Sequence, residues 1–350
     1  MRGLRKYLPP FAPDISGASS VLYEMGGILV ICDAGGCTGN VCGFDEPRWF
    51  LQRSCIFSAG LRDMDAIFGK DDKLVEKLTE AARQIEAAFV CLIGTPVPAV
   101  IGTDYQALKR MAEKKIKLPV LTIETSGIRQ YDAGEEMAYI ELFQTFATEK
   151  METEKGRIGV IGATPLSVSS LQIKKKLQRA LGEDKHIVCY GMGDGLDMVR
   201  QASKAEKNLV LSPSGIKAAE YLKESFGTPY EVGYPVAAEF FSHVMFPDEG
   251  KEWKVLIVHQ QVLANEVRRF LREKLGEHIQ VTVASFFMLK PELKEQGDLV
   301  LKEEADLIRL ADKGDYNLVI ADNMIKPVFA ENISFIDIPH FACSGRLCEE

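Results

Sequence analysis

Four of the eight cysteines fall within 24 residues, at Cys32, Cys37, Cys42 and Cys55. Thiols gathered this closely can hold iron or another thiophilic metal. Cys32 closes an apolar run, Ile28-Leu29-Val30-Ile31, that reads as a strand; Asp33-Ala34-Gly35-Gly36-Cys37-Thr38-Gly39 then reads as a loop. The glycines let the backbone take positive φ and approach a bulky group, so Gly36 is a candidate cofactor contact beside Cys37. Cys37 is the leading candidate ligand, and Cys42 and Cys55 are the next two. Free cysteine is also a small buried hydrophobe. That role suits Cys32 and the mid-strand Cys91, while for Cys42 ligation and core packing both fit the five-residue step. Cys189 ends a strand, where it packs in the core or lines a cavity. Cys343 and Cys348 lie in a C-terminal tail that is either mobile or folds back as a redox pair or extra ligands.

Other groups gather at strand ends. His259 follows Val255-Leu256-Ile257-Val258, and His340 follows Ile338-Pro339. Both point by topology at an interdomain cleft, where each is a candidate proton donor, although a satisfied surface histidine fits as well. Asp33 serves either as an oxygen ligand or proton source, or as the cap of its turn. Asp104 suits the cap of a helix beginning at Tyr105. Arg48 suits contact with a partner or an anionic substrate, or a surface ion pair. No Gly-x-x-x-x-Gly-Lys-Ser/Thr loop is present, so ATP hydrolysis is not expected of this chain. Gly191-Met192-Gly193-Asp194-Gly195 falls short of a dinucleotide-binding turn.

Elements that place these residues are legible as alternating apolar runs and amphipathic stretches over 350 residues. Strands are expected at Ile28–Cys32, Phe89–Ile93, Val120–Ile123, Arg157–Ile161, Ile187–Tyr190, Leu209–Leu211, Val255–Val258, Gln280–Ala284, Leu318–Ala321 and Phe335–Ile338. Helices are expected at Leu74–Ala87, Tyr105–Lys115, about Glu135 to Glu149, Ser169–Leu181, Leu196–Ala202, Ile216–Phe226, Ala264–Leu275 and Ala305–Lys313. Repeated βα units imply an α/β fold of three Rossmann-like domains, each a mostly parallel sheet covered by helices on both faces. Charged stretches near 149–156 and 246–252 divide them as 1–150, 155–246 and 251–350. A net charge of −8 provides no footprint for nucleic acid or anionic membrane, and no apolar run is long enough to span a bilayer. The start shows no secretory leader, so the cysteines are expected as thiols in the cytoplasm.

Cys32 to Cys37, Phe57-Ser58-Ala59-Gly60-Leu61-Arg62-Asp63-Met64-Asp65-Ala66-Ile67-Phe68-Gly69, and Ile93–Asp104 together resemble nitrogenase component 1. That family includes cofactor-assembly scaffolds and dark-operative tetrapyrrole reductases. Gly193-Asp194-Gly195, Asn208–Leu211, Pro229-Tyr230 and the 305–321 segment resemble its later parts. The resemblance implies a homodimer or a heterodimer with a paralogous chain. It implies an iron–sulfur cluster, [4Fe–4S] in the simplest case, at the subunit interface, fed by a separate ATP-dependent iron–sulfur reductase. It also implies a small-molecule or tetrapyrrole substrate between the domains.

Cys37 matches the family's cluster cysteine. The family's earlier and later cysteines fall near Pro13–Ser16 and Thr95–Pro98, where this chain has none. A large double-cubane-like cluster is therefore not expected; Cys42 and Cys55 substitute as ligands, or two subunits each lend Cys37. Ser212 stands where the family's cysteine holds the molybdenum–iron cofactor, and a hydroxyl is too hard a ligand for that bond. Dinitrogen reduction is not expected. The alternatives are a metallocluster scaffold without turnover and a cluster-free α/β binding protein.

Overall fold

The computed structural model describes residues 5–62, 71–244, 252–276 and 279–344. Cys348, the 63–69 part of the second motif and residues 246–251 of the second charged stretch lie outside them. Three sheets are present, and every strand pairing in them is parallel. The first contains β1 (Ile28–Ile31), β2 (Ile56–Ser58), β3 (Val90–Ile93) and β4 (Val120–Ile123) in the order β2-β1-β3-β4. The second contains β5 (Glu154–Ile161), β6 (His186–Cys189), β7 (Ala205–Val210) and β8 (Tyr230–Val232) in the order β6-β5-β7-β8. The third contains β9 (Lys254–Val258), β10 (Gln280–Ser285), β11 (Leu299–Val300), β12 (Leu318–Ala321) and β13 (Ser334–Asp337), ordered β11-β10-β9-β12-β13.

Parallel strands need helical crossovers that cover both sheet faces, and this explains why β1, β3, β4 and β12 are buried throughout and apolar but for Thr122. Each sheet starts near its middle, grows to one side and then returns to the other. The order therefore reverses between β1 and β3, β5 and β7, and β9 and β12. The crevices beyond the carboxyl ends of those strand pairs are where such folds place their ligands. The α/β reading with three Rossmann-like sheets holds.

Helices Tyr105–Lys115 and Ile216–Phe226 have the expected bounds, whereas the helix expected near Glu135 starts earlier and spans Tyr131–Phe146. Helix Asp14–Leu22 was not anticipated. All nine of its residues are buried, so it shows no one-sided apolar stripe for a periodicity argument to find. It packs tightly on Tyr131–Phe146 because Gly17 and Gly134 face it across the contact. A Cβ on Gly134 would lie 1.8 Å from the Asp14 carbonyl oxygen, closer than any side chain can sit. The extended segment before that helix crosses to the third sheet. There the backbone N–H groups of Lys6, Tyr7 and Leu8 donate to the Glu304 carboxylate at 2.7–3.0 Å.

Candidate functional site

The cysteine loop leaves β1 at the first reversal point. Asp33 caps it, accepting from the Thr38 amide at 2.8 Å, the Thr38 hydroxyl at 3.0 Å and Ser58 Oγ at 2.6 Å. Gly35 takes φ 119°, a conformation closed to most residues, and this turns the chain into the short helix Gly36–Asn40 that carries Cys37. A π-turn at Val41–Asp45 follows and carries Cys42. Cys37, Cys42 and Cys55 are half-buried, whereas Cys32, Cys91, Cys189 and Cys343 are buried. Burial and Glu46 push the Cys42 thiol up to about 11, and burial with nearby Asp33 raises Cys37. Both are protonated thiols at neutral pH, so a metal binding there must displace their protons. Among the described residues, no three His, Cys, Asp or Glu side chains group closely enough to hold a metal.

Arg48 is not at the surface, as either sequence reading would have it. It is 5% exposed and anchors the back of the loop. Its guanidinium donates to Glu46 at 2.7 Å twice, to Glu24 at 2.8 Å, and to the carbonyls of Ser20 at 2.6 Å and Gly191 at 2.8 Å. The planar five-donor fork suits this many convergent acceptors. Gly191 belongs to the second domain, and the Gly193 amide also donates to Glu24 at 2.7 Å. The Gly191–Gly195 turn is therefore structural here, tying the second domain to the cysteine loop.

In front of the loop the surface is apolar. Phe44 is 64% exposed, Val100 84% and Ile128 82%, joined by Phe50, Leu51, Phe57, Val97 and Ile101. These eight lie in the first domain, in the turns and strand after the cysteine loop, in the helix Pro96–Ile101 and at Ile128, and only three other large apolar residues are comparably exposed among the described ones. Concentration on the domain that carries the thiol loop distinguishes these residues from scattered surface hydrophobes.

A second polar region forms where the second and third sheets' reversal points meet the start of helix Tyr131–Phe146. His259 and His340, from the ends of β9 and β13, stack at 4.3 Å with 19° between ring planes. His259 Nδ1 accepts from the Gln260 amide at 2.9 Å, so its Nε2–H faces the Pro339 carbonyl at 3.3 Å. His340 donates to the Leu166 carbonyl and has the Tyr131 hydroxyl 3.0 Å from Nε2. Burial lowers His259 to about 4 and His340 well below its ordinary value. The two histidines, each expected at a strand end facing a cleft, meet one another here as neutral, buried rings whose nitrogens all have partners.

Beside them lies Glu135, which the sequence reading did not single out. It is fully buried and accepts hydroxyls from Thr164, from Ser167 at 2.9 Å and from Ser214 at 2.7 Å. Ser212 Oγ lies 2.5 Å from Ser214 Oγ. Asp132, a turn earlier, accepts the Met288 amide of the third domain. Burial raises Glu135 to about 7 and Asp132 to about 6. The available sequence signal was an acid at i and i+3 on the face that also carries Tyr139 and Leu142. Hard hydroxyl and carboxylate oxygens already bonded to one another do not fit a thiolate-held metal cofactor.

A thiol-bearing loop at one reversal point and a polar junction at the other two mark the candidate sites of an α/β protein with three Rossmann-like sheets. The chain belongs to the family of nitrogenase component 1 type oxidoreductases, whose profile matches residues 14–240. It is similar to the nitrogenase iron-molybdenum cofactor biosynthesis protein NifE of Clostridium pasteurianum, with 26% identity over 275 residues, 75% of this chain and 60% of that one. The nitrogenase molybdenum-iron protein alpha chain of Clostridium pasteurianum is 25% identical over 180 residues, 50% of this chain and 33% of its own length. The chain thus spans less than two thirds of either relative. Nitrogenase Cp1 at pH 6.5 shares the fold, with a TM-score of 0.71 at 13% identity over 97% of this chain and 87% of that one.

Proposed function

We propose that this chain is a nitrogenase-like reductase subunit whose Cys37 holds an iron–sulfur cluster completed by a second chain. Such a cluster supplies one-electron transfer at low potential when buried. Low-potential electrons reach it from an ATP-dependent iron–sulfur reductase, and a small-molecule or tetrapyrrole substrate is reduced between the domains. The carrying observation is the apolar face around half-buried Cys37 and Cys42. A second copy, or a paralogous chain, packed there would dehydrate the thiols and add the missing ligands; Cys55 is the reserve donor. Gly36 leaves the approach open, since a Cβ there would meet nothing within 4 Å.

One observation favours a second reading. The relative matched over most of this chain is a cofactor biosynthesis protein, which supports a scaffold that holds a metallocluster and passes it on.

Anaerobic reconstitution with iron and sulfide, read as iron per chain and native mass, tests the common core of both readings. About two irons per chain in a dimer is expected for one shared four-iron cluster. Cys37→Ala should lose the brown visible absorption while remaining folded. Retained iron and colour in that variant would refute the assignment. Release of the cluster to an acceptor protein without turnover would select the scaffold.

A further inference from the structure

The hydrogen bonds at the junction form one continuous chain through all three domains. From the third domain His340 meets the Tyr131 hydroxyl at 3.0 Å, and Ser167 lies within hydrogen-bonding reach of the same phenol. Ser167, Thr164 and Ser214, all of the second domain, converge on Glu135, and Ser214 continues to Ser212. Tyr131 and Glu135 sit one turn apart on a single helix of the first domain. Thr164 to Ser167 follow β5 and Ser212 to Ser214 follow β7, so Glu135 grips both loops at the second sheet's reversal point.

We propose that Glu135 is a proton-operated latch on the interdomain centre: its protonated carboxyl holds the second domain's two loops shut, and its ionisation frees them to open the crevice. The hydroxyls of Thr164, Ser167 and Ser214 favour the carboxylate, but full burial outweighs them and makes the neutral form the natural occupant of the closed state. A proton on Oε1 can be shared with Thr164 while Oε2 keeps accepting Ser167 and Ser214, without moving a heavy atom. The ionised form would bury a charge with no cation beside it. Lys217 and Lys290 both pair with neighbouring Glu136, at 2.6 Å each.

The other groups around the latch do not supply that cation. Asp132 on the same helix adds repulsion, and Tyr131 and Tyr139 are neutral phenols pushed upward by burial. From the third domain His340 and His259 are neutral. From helix Asp14–Leu22, Asp14 is bound to the Ser126 and Gly127 amides and to Arg129. Arg48 acts on Tyr139 but is engaged by Glu46 and Glu24, and the Cys189 thiol beside Tyr139 is pushed upward by burial, while Cys343 near Tyr131 supplies no positive charge.

Closure that raises the Glu135 pKa from its ordinary 4.5 to about 7 couples closing to uptake of one proton. The closed state is then fully favoured below the open-state value and loses that advantage as pH rises towards 7. The latch stands independently of whether Cys37 carries a cluster.

Hydrogen exchange of the purified chain, corrected for the intrinsic chemical rate, reads the latch in residues 164–168 and 212–216. Opening should increase by about tenfold per pH unit between pH 5 and 7 and level off above. Glu135→Gln should flatten the profile and keep both loops protected at pH 8. Ser214→Ala, which removes one donor to the carboxylate, should move the midpoint upward. A flat wild-type profile, or a Glu135→Gln profile that still rises tenfold per unit, would overturn the proposal. So would a Ser214→Ala midpoint that falls or stays put, which serves if the glutamine variant does not fold.

Discussion

The cysteine face and the interdomain junction are both built at sheet reversal points, yet they are finished in opposite ways. At the junction every polar group described above finds a partner within the chain, and even the histidines are locked in one tautomer each. At the face the polar groups are satisfied only behind the loop, by Arg48, Asp45 and Asp33, while the front exposes phenylalanine, leucine, valine and isoleucine. A surface that is rigid behind and apolar in front is prepared for a covering partner. A centre that is closed by its own hydrogen bonds is prepared to be opened. On the proposed readings, the difference separates a face for a second chain from a centre for a trigger.

The comparison is broken most severely by removing the support behind the face. Arg48→Met leaves Glu46 buried without its cation and deletes the link to Gly191. Truncating one member of a buried ion pair costs about 3–5 kcal/mol, and chemical denaturation should show a loss of that size. Arg48→Lys should recover only part of it, because an ammonium cannot reach acceptors on both sides as the fork does. A loss under about 1 kcal/mol would mean that the loop is held by its apolar contacts instead.

The cysteine loop was legible in the sequence; the exposed apolar residues of its domain and most of the junction were not. The Cys37 loop announces itself because strand, glycines and thiol are consecutive, and Asp104 announces its cap, which it makes to the Ala107 amide at 2.8 Å. Arg48 did not: its acceptors include Glu24 and Gly191, 24 and 143 residues away. Glu135 is hidden for the same reason, since its partners lie 29, 32 and 79 residues distant and only folding brings them together. The histidines follow strands expected from the sequence, but their stacking depends on β9 and β13 lying two strands apart in one sheet with their carboxyl ends at the same edge, a strand order that no local pattern encodes. The Asp14–Leu22 helix escaped because total burial erases periodicity.

A milder probe acts on the junction. Tyr131→Phe keeps the ring between Phe287 and His340 and removes the hydroxyl that meets both His340 Nε2 and Ser167. Leaving one buried nitrogen unpaired should cost about 1–2 kcal/mol in denaturant unfolding. An unchanged midpoint would show that the histidine pair is held by stacking alone. Wild-type iron content in this variant would keep the two regions separable.

The smallest effect on folding should come from Val100→Asp, at the most exposed point of the apolar face. The side chain is 84% exposed in the single chain, so its replacement should alter unfolding free energy by no more than about 0.5 kcal/mol. Association is a different matter, because a carboxylate placed at the centre of a dry interface must be desolvated without a partner. Native mass at micromolar concentration should therefore fall from dimer towards monomer, with iron per chain falling alongside it if the ligands are shared. A dimer that survives both Val100→Asp and Ile128→Asp would place the subunit contact elsewhere. The apolar face would then be left for a different protein to cover, with the electron donor the first to test.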